Sequence, residues 1–416
     1  MTTVSPSHVT FDGFDPANRA DPYPSYQRVR EAAGLSRLYL HDVPVALVSR
    51  YDDCAAILGS QDWGHGHEDG LSPFWDQAAS LPGSFIRMDP PDHRRLRRLV
   101  NKAFSARMVA SLAPMIDELV GRLVDAALEA GEIDVIRDLS APLAVTMVGG
   151  RLLGVPEQDR PALRNWELAI ARGTDPDDLL SAHDVAERSR AGQEVVAYLH
   201  ALIGQRRAHP TDDLLSMLVG VEEQGEVLTA AEVLGICVLL LVAGMETSIN
   251  LIGNGMIALL RNPDQLALLR ERPELTPAAV EEMLRYDTPT QFTMRVALTE
   301  TTVGGHTFAR GDGVIVLMAS AGRDPAVFTD PDRFDITRYA AAPAPRRHLG
   351  FSLGLHYCLG APLARMEAET AIRTLVARAP GLSLAADTLT YLPSLIHRGV
   401  TSLPLDLSAG SARNSG

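Results

Sequence analysis

The sequence predicts a mainly α protein with small β-sheets, and three observations carry that prediction. The first is a capping box, Thr229 with Glu232 three residues on, opening an apolar stretch that runs without proline to Asn262. At 1.5 Å per residue such a helix would reach about 50 Å. The second is helical periodicity over much of residues 111–220 and again over Leu359–Ala379. The third is that strand-like alternation is confined to short runs, the clearest being Gln291–Leu298. No long Gly/Ser/Pro linker divides the 416 residues, so residues 1–407 are expected to form one domain and 408–416 a disordered tail.

In chain order, Asp15-Pro16 and Asp21-Pro22-Tyr23-Pro24 supply turn chemistry ahead of a short helix over Ser25–Ala33. Leu38–Leu40 and Val45–Val48, separated by His41-Asp42-Val43-Pro44, predict a hairpin, and Tyr51–Leu58 a brief helix. Trp63–Ser84 is rich in Gly, His, Ser and Pro and reads as a long functional loop, with His65 and His67 solvated in it. A helix starts at Pro90-Pro91 and reaches Phe104. Helices follow over Ser111–Ala130, Asp138–Leu153 and Ala182–Arg207, broken by Gly131, Gly154-Val155-Pro156, Gly173–Pro176 and His209-Pro210. Beyond the long central helix come Thr276–Tyr286, short strands over Val303–Phe308 and Gly313–Met318, and an irregular meander over Ala319–Pro345. Leu359–Ala379 is the last long helix, and Leu395-Ile396-His397 lies in a late turn.

Composition excludes several classes. A net charge of −14 argues against nucleic-acid binding. Hydrophobic content of 46% with mean hydropathy near zero describes an ordinary globular protein. Cys54, Cys237 and Cys358 are far apart and form no Cys-x-x-Cys unit, which fits a reducing, cytoplasmic compartment. Met1–Pro6 has neither a basic region nor an apolar run, so no leader or anchor is expected. The apolar run Val233–Met245 falls short of the ~18–20 residues of a membrane span and reads as a core helix.

Three places carry chemistry. Cys358 lies where a glycine-punctuated loop, Arg346–Tyr357, runs into a helix with Pro362 in its first turn. A thiol at a helix N-terminus feels the positive end of the dipole and unpaired N–H groups, both favouring the metal-ligating thiolate. His93 and Arg97 are four apart on one helical face, a cationic pair suited to a ligand with two carboxylates. In the central helix, Ala243-Gly244-Met245-Glu246-Thr247 puts a carboxylate beside a hydroxyl in apolar surroundings. Burying such a carboxylate unpaired costs several kcal/mol, so it must be hydrogen-bonded or functional.

With its Phe-x-x-Gly-x-His-x-Cys-x-Gly pattern (Phe351, Gly354, His356, Cys358, Gly360), the Cys358 loop resembles the haem-binding signature of the cytochrome P-450 family, the haem-thiolate monooxygenases. Ser352 departs from it, standing where the family very often has glycine. The resemblance covers nearly the whole chain. It implies the family's single-domain fold, a triangular prism of helices around haem b, with Cys358 as the iron ligand. His93, Arg97, Arg295 and His356 would hold the haem propionates, with Ala243, Gly244, Phe351 and Gly360 also against the cofactor. Glu246 and Thr247 would be catalytic, delivering protons and holding oxygen. Glu282 and Arg285, with an arginine from Asp332-Arg333-Phe334, match the family's structural Glu-x-x-Arg set. Ile86, Phe292, Thr293, Leu395 and Ile396 would face the substrate, with Trp166–Leu180 as a gate.

The expected reaction is hydroxylation or epoxidation, with O2, of an apolar small molecule such as a polyketide, macrolide or peptide. Alternatives are oxidative coupling or dehydration, or a haem-thiolate binding protein that never activates oxygen. The chain shows no flavin or nicotinamide fingerprint, so a ferredoxin and ferredoxin reductase are the expected electron donors. They would dock on a basic patch of Arg98, Lys102, Arg107 and Arg365.

Overall fold

The computed structural model describes residues 12–13, 15–32, 35–40, 43–74, 83–172, 180–223 and 226–407. The 408–416 tail, part of the Trp63–Ser84 loop and most of Gly173–Leu180 therefore lie outside the described residues. The architecture is helical with small sheets. The main helices are Asp92–Ala103, Ala113–Ala130, Arg160–Arg172, Ala182–Ala208, Ala230–Gly244, Glu246–Arg261, Thr276–Tyr286 and Ala361–Arg378. A five-stranded sheet takes the order Ser36–Leu40, Val43–Val48, Gly313–Val316, Thr293–Ala297, Trp63–Gly64, and a three-stranded one joins Ser383–Leu384, Pro404–Asp406 and Glu132–Asp134.

The expected elements mostly form, with informative shifts. Trp63–Gly64 is not irregular. It pairs antiparallel with the Thr293–Ala297 strand, Gly64 opposite Val296. A Cβ on Gly64 would sit 2.2 Å from the Asp89 carboxylate, so a larger residue there would displace that side chain. The expected strand Val303–Phe308 is a hairpin, Thr301–Val303 against His306–Phe308, turning through Gly304 and Gly305 at positive φ. The segment Asp138–Leu153 is helical but wide, with π-type turns over Val135–Ser140 and Val145–Leu152 around Ala141–Ala144. Pro142, lacking an N–H, sits between them.

The Thr229–Glu232 capping box is present. The helix it opens ends at Gly244 and a second begins at Glu246, with Met245 at φ −88°, ψ −66° between them. Taken together, Ala230–Arg261 is a 32-residue stretch, the one helix among the described residues long and apolar enough to cross a membrane, and 61% of its most apolar window is buried inside the protein. One large core packs these helices against Ala113–Ala130 and Ala361–Arg378.

Arg285 is fully buried, bonded twice to Glu282 at 2.7 Å and to the carbonyls of Gly322, Pro331 and Arg333. The second arginine on Glu282 is Arg338, at 3.2 Å, while the Arg333 side chain is exposed. The expected arginine in Asp332–Phe334 is thus replaced by Arg338, five residues beyond Arg333, which contributes its carbonyl instead.

Candidate active site

The sulfur loop is held from behind. The Cys358 N–H donates to the Phe351 carbonyl at 2.9 Å, closing a tight loop through Ser352 (φ 59°) and Gly354 (φ 64°). Residues 352–360 all keep part of their surface uncovered by the core. Burial raises the Cys358 thiol, while the amides of Gly360 and Ala361 and the guanidiniums of Arg97 and Arg365 oppose it. That opposition is the helix-start effect anticipated from the sequence. Arg365 is not a free surface cation. It binds the Glu281 carboxylate at 2.5 and 3.0 Å and the Tyr357 hydroxyl at 3.2 Å, and lies 4.6 Å over the Phe351 ring. His348 accepts the Gly350 N–H on Nδ1, so its Nε2–H donates to Glu281 at 3.1 Å. Burial works against the Glu281 charge, yet His348 and Arg365 hold the carboxylate at about 2.

Beside this loop the structure gathers His93, Arg97, Arg295 and His356, which are scattered in sequence. Asp92–Ala103 presents His93 and Arg97, and Arg97 donates to the Tyr357 carbonyl at 2.9 Å. The His93 and His356 rings stand 4.4 Å apart. Arg295 is buried and donates to the Thr293 hydroxyl and the Met294 carbonyl. Burial and then Arg87 bring Arg295 down to about 10; burial, then Arg295 and His93, bring His356 to about 2. His93 falls to about 4 through burial and Arg97. Both His93 ring nitrogens are buried without a hydrogen-bond partner, a cost of about 1–3 kcal/mol per group.

His65, read as solvated, is buried beneath this group with its ring 4.9 Å from that of His356. Its placement comes from pairing across more than two hundred residues, which no local pattern announces.

At the helix opening, the Thr247 hydroxyl donates to the Ala243 carbonyl at 2.7 Å. Ala243 is exposed in mid-helix although most of its neighbours are covered, and Gly244 is close to Val148, where a Cβ would come to 3.1 Å. Glu246 is buried and accepts from Arg164 at 3.1 Å, and Arg164 also pairs with Glu167. Burial, with Glu246 adding, pushes Glu167 up to about 8, against the pull of Arg164. Neither Arg164 nor Glu167 carried a sequence signal, since their partner lies on another helix. Phe292, Leu395 and Ile396 share one apolar cluster with Tyr26 and Val296, Phe292 being buried in it. Thr293 is half-buried beside Arg295, whereas Ile86 sits exposed on the Phe85–Arg87 turn.

A thiol flanked by two amides, next to arginines and to imidazole nitrogens with no partner among the described residues, is the donor set for a metal macrocycle bearing carboxylates. The residues fit haem. The cytochrome P450 profile matches residues 178–378. The chain is 41% identical over 415 residues to the cytochrome P450 monooxygenase PikC of Streptomyces venezuelae, covering 97% of this chain and 95% of that protein. It is 39% identical to 6-deoxyerythronolide B hydroxylase of Saccharopolyspora erythraea, covering 98% and 100%. Its fold is similar to the solved structure of the bacillaene polyketide synthase cytochrome P450 PksS of Bacillus subtilis, with TM-score 0.86 and 33% identity over 96% and 100% of the chains. The chain belongs to the cytochrome P450 family. It is a haem-thiolate monooxygenase whose cofactor is haem b, using O2 and electrons from redox partners.

Proposed function

We propose that this monooxygenase hydroxylates or epoxidises a polyketide or macrolide in the cytoplasm, with electrons from a ferredoxin and its reductase. The names of 6-deoxyerythronolide B hydroxylase, at 39% identity, and of the polyketide biosynthesis cytochrome P450 PksS, at 33%, support the substrate class. Residues up to 407 act as one unit in this reading. Haem b, when bound, supplies O2 activation and the oxidising power. Cys358 ligates the iron, and His93, Arg97, Arg295 and His356 hold its carboxylates. The observation that carries these roles is the grouping of the Arg97 and Arg295 guanidiniums with the His93 and His356 imidazoles beside the Cys358 loop, Arg295 buried and both His93 nitrogens unpartnered among the described residues. Asp89 favours the charge on Arg295, but its carboxylate is already engaged by the amides of His65 and Gly66. Thr247 holds a proton on Oγ1 at the helix opening, and Glu246 passes protons toward it. Arg164 orients the Glu246 carboxylate. Phe292, Leu395 and Ile396 supply an apolar wall, and Thr293 a polar point beside it.

The test begins with the absorption spectrum of the reduced protein under carbon monoxide. A long-wavelength Soret band is expected, and its loss in Cys358→His follows if Cys358 is the ligand. Spin-state shifts across a macrolide panel, then product one oxygen atom heavier, test the substrate class. A panel that gives neither shift nor product, while fatty acids give both, overturns it.

A further inference from the structure

We propose that His65 is an additional binding group for the haem carboxylates, completing an arch with His93, Arg97, Arg295 and His356. This rests on the haem reading of the site. His65 is 4% exposed, and its Nε2 is buried with no hydrogen-bond partner among the described residues. A buried polar nitrogen left unpaired is costly, and an acceptor or donor supplied by a ligand would recover that cost. The ring cannot drift to find solvent, because the backbone is clamped. The N–H groups of His65 and Gly66 both donate to the Asp89 carboxylate, at 2.7–3.0 Å. Gly64, next in the chain, is fixed in the sheet opposite Val296, one residue from Arg295.

The surroundings say what Nε2 awaits. His356 lies edge-on at 4.9 Å and His67 stacked at 6.2 Å. Burial most of all, and then Arg295, His356, Arg87 and His67, disfavour a charge on His65. The Asp89 carboxylate is occupied by the amides. A neutral imidazole donor among cations, without an acceptor of its own, is matched by an anionic oxygen. The oxygens of a ligand with two carboxylates can each accept several hydrogen bonds, so His65 can join His93, Arg97, Arg295 and His356 in the set. A packing role alone would not require a ring nitrogen, and a phenylalanine would serve as well.

That contrast is the experiment. Holoprotein of wild type, His65→Phe and His65→Gln is prepared with haem and with haem dimethyl ester, whose carboxylates are blocked. Loss of the macrocycle to excess apomyoglobin is timed. His65→Phe is expected to lose haem about tenfold faster, the size of one charge-assisted hydrogen bond, while His65→Gln stays near wild type. With the dimethyl ester the wild type and His65→Phe should release at equal rates. Equal rates with haem itself overturn the proposal, and so does an equal acceleration with haem and ester, which marks a packing role. Failure of the wild type to bind haem at all would instead sink the haem reading.

Discussion

Ser352 holds a left-handed backbone, φ 59°, in the turn that delivers Cys358, and its hydroxyl is buried without a partner. For a residue with a Cβ this conformation costs roughly 1–2 kcal/mol, partly recovered by the lower chain entropy of serine against glycine. Ser352→Gly should therefore stabilise the protein by about 1 kcal/mol, read as a higher denaturant midpoint at unchanged slope. A lower midpoint would mean the hydroxyl has a partner in the holoprotein. At Thr247, the hydroxyl bonds to the Ala243 carbonyl across the helix opening. Thr247→Ala should leave the carbon monoxide spectrum intact and cut product formed per electron consumed by about tenfold or more, as loss of a positioned proton donor does. Unchanged coupling would remove Thr247 from the chemistry. At this scale much could be read from sequence, because the Cys358 loop and the His93–Arg97 pair are local patterns with fixed spacing. Arg295 and His356 needed the family resemblance. His65, Arg164 and Glu167 gave no signal, since each takes its meaning from a partner on a distant segment.

Between elements, single carboxylates do the joining. Glu281 ties the Thr276–Tyr286 helix to the first turns of Ala361–Arg378 and, through His348, to the start of the sulfur loop. Arg338 and Arg285 share Glu282 in the same way. Removing Arg338 leaves a buried charge partly unmatched, and Arg338→Leu is expected to cost about 3 kcal/mol in chemical denaturation. On the substrate side, Arg164 joins the Arg160–Arg172 helix to the opened central helix. Glu167, raised to about 8 mainly by burial, is protonated in the folded chain where the unfolded chain is ionised. The folded state then binds more protons between about pH 4.5 and 8, so its contribution to stability is full below that window and declines as pH rises through it. Glu167→Gln should flatten that decline, measured as melting temperature against pH. Parallel curves for the two proteins would argue that Arg164 keeps Glu167 ionised. Helix lengths were legible from periodicity and caps. The break at Met245 and the wide turns around Pro142 were not, because both answer to what packs beside them.

Across the molecule, the acidic balance of −14 coexists with a basic region on the Asp92–Ala103 helix and its neighbourhood. The four cations expected to meet a ferredoxin are not equivalent. Arg365 is half-buried against Glu281 and Arg98 sits on Glu226, whereas Lys102 and Arg107 are exposed and present their side chains on this face. Reversing both, Lys102→Glu with Arg107→Glu, should slow reduction by ferredoxin about tenfold at low salt, with little effect on dithionite reduction. Equal rates would move the docking face elsewhere. The global fold was legible because helical segments, breaks and four motifs occur in the order a known family uses. The register of the five-stranded sheet was not, since Trp63–Gly64 finds its strand only in three dimensions. The Asp89 clamp has a practical reach as well. It welds the chain at His65–Gly66 to the start of the helix carrying His93 and Arg97, while Gly83, at φ 88°, is pressed against the backbone of Glu232. These two points are natural splice junctions. A library that exchanges only the sequence between these points, residues 67–82, among relatives would leave the Asp89 contacts and the Gly83–Glu232 approach unchanged.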